Sequence, residues 1–258
     1  MRFASLGSGS EGNALLVEED GSERPSRVLL DCGFSLKETE RRLARLGLGP
    51  AALSAIVVTH EHGDHISGVF KLARRYALPV FATHGTVRSS DQHEIDGVDL
   101  HYCVPGRDFA IGSLVVTPYA VPHDAREPVQ YLFSNGRRRL GVLTDAGSPT
   151  AHIVERLSGC HALVLECNHD RDLLRQSNYP PSLKARIAGP YGHLANDIAA
   201  EILGRIDRSV LGVVIAAHLS RTNNSPALAQ AALASVLGSS TGWVRVADQD
   251  AGWDWTAV

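Results

Sequence analysis

Ala55-Ile56-Val57-Val58-Thr59-His60-Glu61-His62-Gly63-Asp64-His65 is the stretch from which the fold of this chain is read. Its first five residues are apolar or β-branched, the pattern of a strand buried on both faces. The next six hold four side chains able to ligate a metal (His60, His62, Asp64 and His65), in front of a helix expected to begin at Ile66. No packing role needs that density, because buried imidazoles and carboxylates each require partners and a cluster without a counter-ion is costly. Gly63 is expected to let the loop turn tightly, so that the two sides of the cluster face two neighbouring ions.

Working outward, strand-like runs are expected at Ala14 to Val17, Val28 to Leu30, Val80 to Ala82, Leu114 to Val121, Leu140 to Leu143, Ala162 to Leu165 and Val210 to Ala216. Ser35-Leu36-Lys37-Glu38 reads as a capping box before Leu43 and Leu46, with Gly47 as the stop signal. Ile66, Val69, Phe70, Ala73 and Ala77 form one helical stripe, and later helices are expected at Leu194 to Ile206 and Ala227 to Val236. Asn135-Gly136 between Val129 to Phe133 and Arg138 to Leu143 predicts a hairpin. The class is α/β. No linker, repeat or low-complexity tract interrupts it, so one domain over 1–258 is expected.

Composition limits the function classes. With 258 residues, 44% hydrophobic and 21% charged, the chain can close a core, and disorder is excluded as a description of the whole. A net charge of −3 and a pI near 6.4 leave no basic footprint, so a polyanion would have to be held locally. The N-terminus has no apolar leader pattern and no run reaches membrane-spanning length, so a cytoplasmic protein with no membrane contact is expected. Cys32, Cys103, Cys160 and Cys167 make no CxxC pair, which argues against disulfides and a cysteine zinc finger.

Gly7-Ser8-Gly9-Ser10-Glu11-Gly12 fits the dinucleotide fingerprint G-x-G-x-x-G, with Asp31 at the spacing of a ribose-binding acid. That fingerprint requires a helix directly after the glycines, whereas Asn13 to Ser22 reads as a strand running into a turn. A turn between strands is expected instead, with Ser8, Ser10 and Asn13 forming a polar lip at the mouth of the site.

The motif HxHxDH at His60, His62, Asp64 and His65 resembles the signature of metallo-β-lactamase-fold hydrolases. His123 after Val121-Pro122, Asp145 in Leu143-Thr144-Asp145 and His218 in Ala216-Ala217-His218 follow in that family's order, and Asp31 matches its early acid. The resemblance implies an αββα sandwich of two similar halves. It also implies that His60, His62 and His123 hold one divalent ion, that Asp64, His65 and His218 hold another, that Asp145 bridges them, and that Asp31 orients ligands from behind. Imidazole and carboxylate donors without thiolate suit zinc, with manganese as the alternative. Two such ions can activate a shared hydroxide and clamp the leaving oxygen, which implies hydrolysis. His62 stands where redox di-iron relatives usually carry a carboxylate, so oxygen or nitric oxide reduction is disfavoured.

The C-terminal half resembles the YycJ/WalJ-like branch, through Leu163 to Asp170, Tyr179 to Ile187, Gly192 to Asn196, and His218-Leu219-Ser220 with Asn223-Asn224. That branch lies near tRNA 3′-processing nucleases and phosphonate-pathway phosphodiesterases. It implies a phosphodiesterase, above all an exonuclease on DNA ends, with His193 as general acid or phosphate clamp beside Asp64 in the reacting centre. Asn168, His169, Lys184 and Arg186 are the further expected substrate contacts. Arg137-Arg138-Arg139 is expected as an exposed hairpin rim. The alternatives are a small-molecule phosphodiesterase, a thioester or lactam hydrolase that does not need His193, and a non-catalytic metal-stabilised binding protein; a homodimer is left open.

Overall fold

The computed structural model describes residues 1–21, 24–238 and 241–258. Among them, two seven-stranded sheets repeat one plan. The first contains β1 (Arg2–Gly7), β2 (Ala14–Glu19), β3 (Ser26–Leu30), β4 (Ala55–Val57), β5 (Val80–Ala82) and β6 (Leu100–Tyr102). The second contains β7 (Phe109–Ile111), β8 (Leu114–Ala120), β9 (Val129–Ser134), β10 (Arg139–Leu143), β11 (Ala162–Glu166), β12 (Val213–Ala217) and β13 (Val244–Val246). The last strand, β14 (Trp253–Ala257), returns to the first sheet and pairs antiparallel with β1. Each sheet runs through antiparallel pairings at one end and parallel pairings at the other, with β3·β4 and β10·β11 as the corresponding first parallel pairs. This is the pairing logic of two similar halves.

Helices follow from the crossovers that parallel strands require. They are α1 (Leu36–Arg45), α2 (Gly63–Ile66), α3 (Val69–Tyr76), α4 (His84–Ser89), α5 (Gln92–Ile95), α6 (Ala151–Leu157), α7 (Arg171–Gln176), α8 (Pro181–Ile187), α9 (Asn196–Arg205) and α10 (Pro226–Leu237). The inner core joins the sheets face to face, with Val17, Val28 and Val57 of the first against Tyr131, Val142 and Val164 of the second. Leu29, Ile56 and Val58 pack outward on Leu43, Phe70 and Leu72, while Leu163, Leu165 and Val214 pack on Ile153, Ile202 and Leu233. Four layers result: helix, sheet, sheet, helix.

Several sequence expectations change in detail. The Gly7–Gly12 run is the turn of the antiparallel β1–β2 hairpin, as the missing helix required. The helix behind the histidine motif begins at Gly63 with His62 as its N-cap, three residues earlier than expected, and it breaks after Ile66 before α3 starts. Gly63 has no positive φ and an added Cβ there would meet nothing within 4 Å, so the turn does not depend on glycine. Ala77, expected on the buried stripe, is instead the exposed left-handed C-cap of α3. At Ser35 only half of the capping box forms: its hydroxyl accepts from Glu38 N at 3.3 Å, while the Glu38 carboxylate turns to Arg41 and Arg42.

Candidate metal centre

The strand ends of the two sheets meet at one edge, and the backbone is strained there. Of the four non-glycine residues with positive φ among the described residues, three are Asp31 after β3, Asp145 after β10 and His218 after β12. Left-handed backbone is uncommon for any residue with a side chain, although Asp and His tolerate it better than most, and it is frequent at sites of function. The strain turns each side chain toward the HxHxDH segment.

Three imidazoles converge on the outer side. His60 Nε2 lies 3.0 Å and His123 Nε2 3.2 Å from His62 Nδ1. The remaining nitrogens decide what this means. His123 Nδ1 donates to the Gly192 carbonyl at 3.0 Å, and His60 Nδ1 lies 2.9 Å from the Thr59 hydroxyl, which itself donates to Asp31. Both rings therefore turn the lone pair of Nε2 inward in their neutral form. Burial holds His60 and His123 below the usual histidine pKa, so the neutral form is favoured. Lone pairs facing one another need a cation between them.

Carboxylates dominate the inner side. His65 Nε2 lies 2.8 Å from Asp145 Oδ2 and 3.4 Å from Asp64 Oδ2, while His218 Nε2 lies 3.4 Å from both Asp64 Oδ2 and Asp145 Oδ1. Burial opposes charge on His218, yet Asp145, Asp64 and Glu166 outweigh it and raise its pKa to about 9. The pocket thus calls for positive charge, and Asp145 Oδ2 is buried without an aligned hydrogen bond. Donor atoms of His60, His62 and His123, of Asp64, His65 and His218, and of His60, His65 and Asp145 each lie within 4.8 Å of one another, so these residues fit two neighbouring divalent ions.

Behind them stands a supporting layer. Asp31 accepts from Thr59 N, from the Thr59 hydroxyl and from His65 Nδ1, each at 2.8 Å, which presents His65 Nε2 to the pocket. Asn13, expected at the mouth, is buried and spans the Gly9 loop and Asp64: its Oδ1 accepts from Gly9 N at 2.8 Å and its Nδ2 lies 3.2 Å from Asp64 Oδ2. Ser8 is also turned inward, its hydroxyl accepting from His218 N at 2.9 Å. Asn168 Nδ2 donates to the His218 carbonyl at 3.1 Å, and His169 is buried with its Nδ1 unpartnered. Asn13, Ser8 and Asn168 hold the frame of the site through these bonds, His169 is buried beside them, and only Ser10 of the expected lip is exposed.

His193 Nδ1 lies 2.8 Å from Glu166 Oε1 and 3.2 Å from Asp145 Oδ1. Burial works against a charge on this ring, but Glu166 and Asp145 prevail and push its pKa up to about 10. Glu166 is the residue that sequence reasoning passed over. It is fully buried at the end of β11, and its second oxygen accepts from Ala146 N and Leu194 N. Its signal was an acid closing an otherwise apolar strand. Arg186 pairs through Nε with Asp124 Oδ2 at 2.6 Å, and Asp124 Oδ1 lies 3.4 Å from His123 Nε2, so this arginine stands beside the centre. Lys184 does not: its ammonium donates to the Arg175 carbonyl at 2.7 Å. Arg137 and Arg138 are exposed at the tip of the β9–β10 hairpin.

The Cys residues are all unpaired and buried, and no helix of the described residues is long and apolar enough to cross a membrane. The β-lactamase superfamily domain model matches residues 26–218. The chain is 37% identical over 240 residues to the exodeoxyribonuclease YycJ of Bacillus anthracis, covering 92% of this chain and 89% of that one. It is 31% identical to the exodeoxyribonuclease WalJ of Streptococcus pneumoniae, covering 92% and 88%. The zinc-bound PqqB of Methylobacterium extorquens superposes over 100% of both chains with a TM-score of 0.74 at 18% identity, a likeness of fold. Fold, site and sequence agree that this chain belongs to the metallo-β-lactamase-fold superfamily, in the family of YycJ and WalJ.

Proposed function

We propose that the protein is a dinuclear metal-dependent phosphodiesterase that removes nucleotides from DNA ends. The observation carrying this reading is the union of two facts: relatives named exodeoxyribonucleases match nine-tenths of the chain, and a two-ion donor set is accompanied by a histidine whose Nδ1 faces the buried carboxylates of Glu166 and Asp145. In this reading His60, His62 and His123 would hold one ion, Asp64, His65 and His218 the other, and Asp145 both. When bound, such ions supply Lewis acidity, activating water and neutralising phosphate charge. Zinc suits these nitrogen-rich donors, with manganese as the alternative. The chain acts as one domain, since β14 ties its end back to β1. Four unpaired cysteines fit the reducing cytoplasm as its place of action.

The chain's own contribution to the chemistry centres on His193. With Nδ1 held by Glu166 and Asp145, the ring turns Nε2 away from these carboxylates, and a proton taken up by the ring would sit there. A phosphodiester's leaving alkoxide is poor unless protonated, and Nε2 of His193 is the donor for that proton or for a bond to a phosphate oxygen. A thioester hydrolase would not need this arrangement. Arg186, exposed beside Asp124, is a phosphate contact in this reading, whereas Lys184 is already engaged elsewhere.

The test incubates metal-loaded protein with 5′-labelled and 3′-labelled duplex DNA and, separately, with a chromogenic phosphodiester, using Asp145→Ala as control. Stepwise release of mononucleotides, lost in the variant, is the expected result and gives the polarity. Cleavage of the small diester alone would move the assignment to small-molecule phosphodiesters, and cleavage of neither would overturn it in favour of a thioesterase or a binding protein.

A further inference from the structure

Between α8 and α9 the chain crosses the rim of the metal centre as Gly189-Pro190-Tyr191-Gly192-His193. Its backbone is fastened from several directions. The Tyr191 carbonyl accepts from Asp124 N at 2.9 Å, the Pro190 carbonyl from the Ser148 hydroxyl at 2.7 Å, and Gly192 N donates to the Gly189 carbonyl at 2.9 Å. An added Cβ at Gly147 would collide with Pro190 and Tyr191 N, and one at Gly192 with the carbonyls of Arg186 and Ile187. Tyr191, on this closely held backbone, is 60% exposed, one of the most exposed large apolar groups of the described residues.

Its neighbours give that exposure a meaning. Tyr191 is bonded through its backbone to Asp124, whose carboxylate lies 3.4 Å from His123 Nε2 on one oxygen and holds Arg186 on the other, with the arginine side chain 58% exposed. An outward aromatic face and a guanidinium fork thus share one small stretch of rim, two residues from His193. Aromatic faces stack on unpaired bases, and arginine forks grip phosphate oxygens; together they are the usual equipment for holding a single strand. Inside a duplex each base is covered on both faces by its stacked neighbours, so an unpaired terminal base offers Tyr191 more to stack on than the single outer face of a closed duplex end.

We infer that Tyr191 and Arg186 form a subsite for the single-stranded end of the substrate, the ring stacking on a base next to the scissile phosphate and the guanidinium holding a flanking phosphate. This rests on the nuclease reading above and adds to it the form of the strand that is bound. Asp124 is a positioning residue here, since it fixes both the loop and the arginine.

The experiment measures steady-state cleavage of labelled single-stranded oligonucleotides whose terminal two nucleotides are intact or abasic. Tyr191→Ala is expected to raise KM on intact ends roughly 5- to 100-fold with little change in kcat, and to raise it less than about twofold on abasic ends. Tyr191→Phe and Tyr191→Trp restore the KM on intact ends. Arg186→Ala raises KM on both kinds of end and lowers the salt dependence of KM by about one unit of logarithmic slope. An unchanged KM in Tyr191→Ala, or an equal rise on intact and abasic ends, would overturn the subsite while leaving the nuclease reading in place. Failure of the unaltered protein to cleave any DNA would overturn both.

Discussion

On the outer side of the centre His60, His62 and His123 meet as imidazoles, with the half-buried Asp124 beside them and Asp145 within reach of His60; on the inner side His65 and His218 face Asp64 and Asp145. Both groups are made of histidine, yet their environments drive the rings in opposite directions. Burial holds His60 and His123 neutral, whereas carboxylates overcome burial and raise His65 and His218. The outer group offers mainly neutral lone pairs and the inner group mainly charge. Two ions bound there would meet unlike donor sets, one richer in imidazole and the other richer in carboxylate.

The comparison is broken most severely at the residue common to both groups. Asp145→Ala removes the carboxylate lying beside His60, His65, His193 and His218, and is expected to abolish nuclease activity and to reduce metal content from two ions per chain to one or none. Two tightly held ions in that variant, counted by elemental analysis after gel filtration, would show that Asp145 belongs to neither cage.

A milder pair of changes separates the cages. His62→Ala should lose the outer ion and keep the inner, and His218→Ala the reverse, since His62 stands only with the outer donors His60 and His123, and His218 only with inner donors. Spectroscopy of the cobalt-substituted proteins would read this as two different residual spectra. Identical spectra, or loss of both ions in His62→Ala, would mean that the cages fill only together.

Asp31→Asn probes the inner cage from behind. The amide can still accept from Thr59 N through its oxygen, but its NH₂ then faces the Thr59 hydroxyl and His65 Nδ1, so His65 would carry its proton on Nε2, toward Asp145. Removing a supporting partner of this kind typically costs about 10- to 100-fold in metal affinity. Chelator competition should show that loss for the inner ion and almost none for the outer; equal losses would erase the distinction between the cages.

The strand-and-motif stretch from Ala55 to His65 was legible because apolar continuity and ligand density are local properties of sequence. The lone donors His123, Asp145 and His218, which the fold brings to the HxHxDH segment, were legible only by their order along a known pattern, since a single histidine after a strand has no signature of its own. What stayed hidden depends on distant parts of the chain. β1 pairs with β2 in a local hairpin on one edge, but its other edge and the whole of β14 are paired across about 250 residues, a contact no window contains. Asn13 was read as a surface residue because its environment is the Asp64 loop, and Glu166 was passed over because nothing local says that His193 will arrive beside it. The positive φ values of Asp31, Asp145 and His218 are likewise imposed by the assembled sheets.

Thr59→Val makes the finest cut between the cages. The two side chains are close in volume, so the change removes little besides the hydroxyl, which touches His60 Nδ1 at 2.9 Å, Asp31 Oδ2 at 2.8 Å and His65 Nδ1 at 3.3 Å. His65 retains Asp31, its shorter and charged partner, at 2.8 Å. His60 has no such reserve: its buried Nδ1–H is left unpaired, at a cost of about 1–3 kcal/mol. That asymmetry predicts a fall of up to about tenfold in affinity for the outer ion, a smaller one for the inner, and a melting temperature lower by about 2–10 °C at fixed metal concentration. If titration shows the inner ion to be the more weakened, the hydroxyl serves His65 rather than His60, and the support of the outer cage must be sought in the Gly192 carbonyl behind His123.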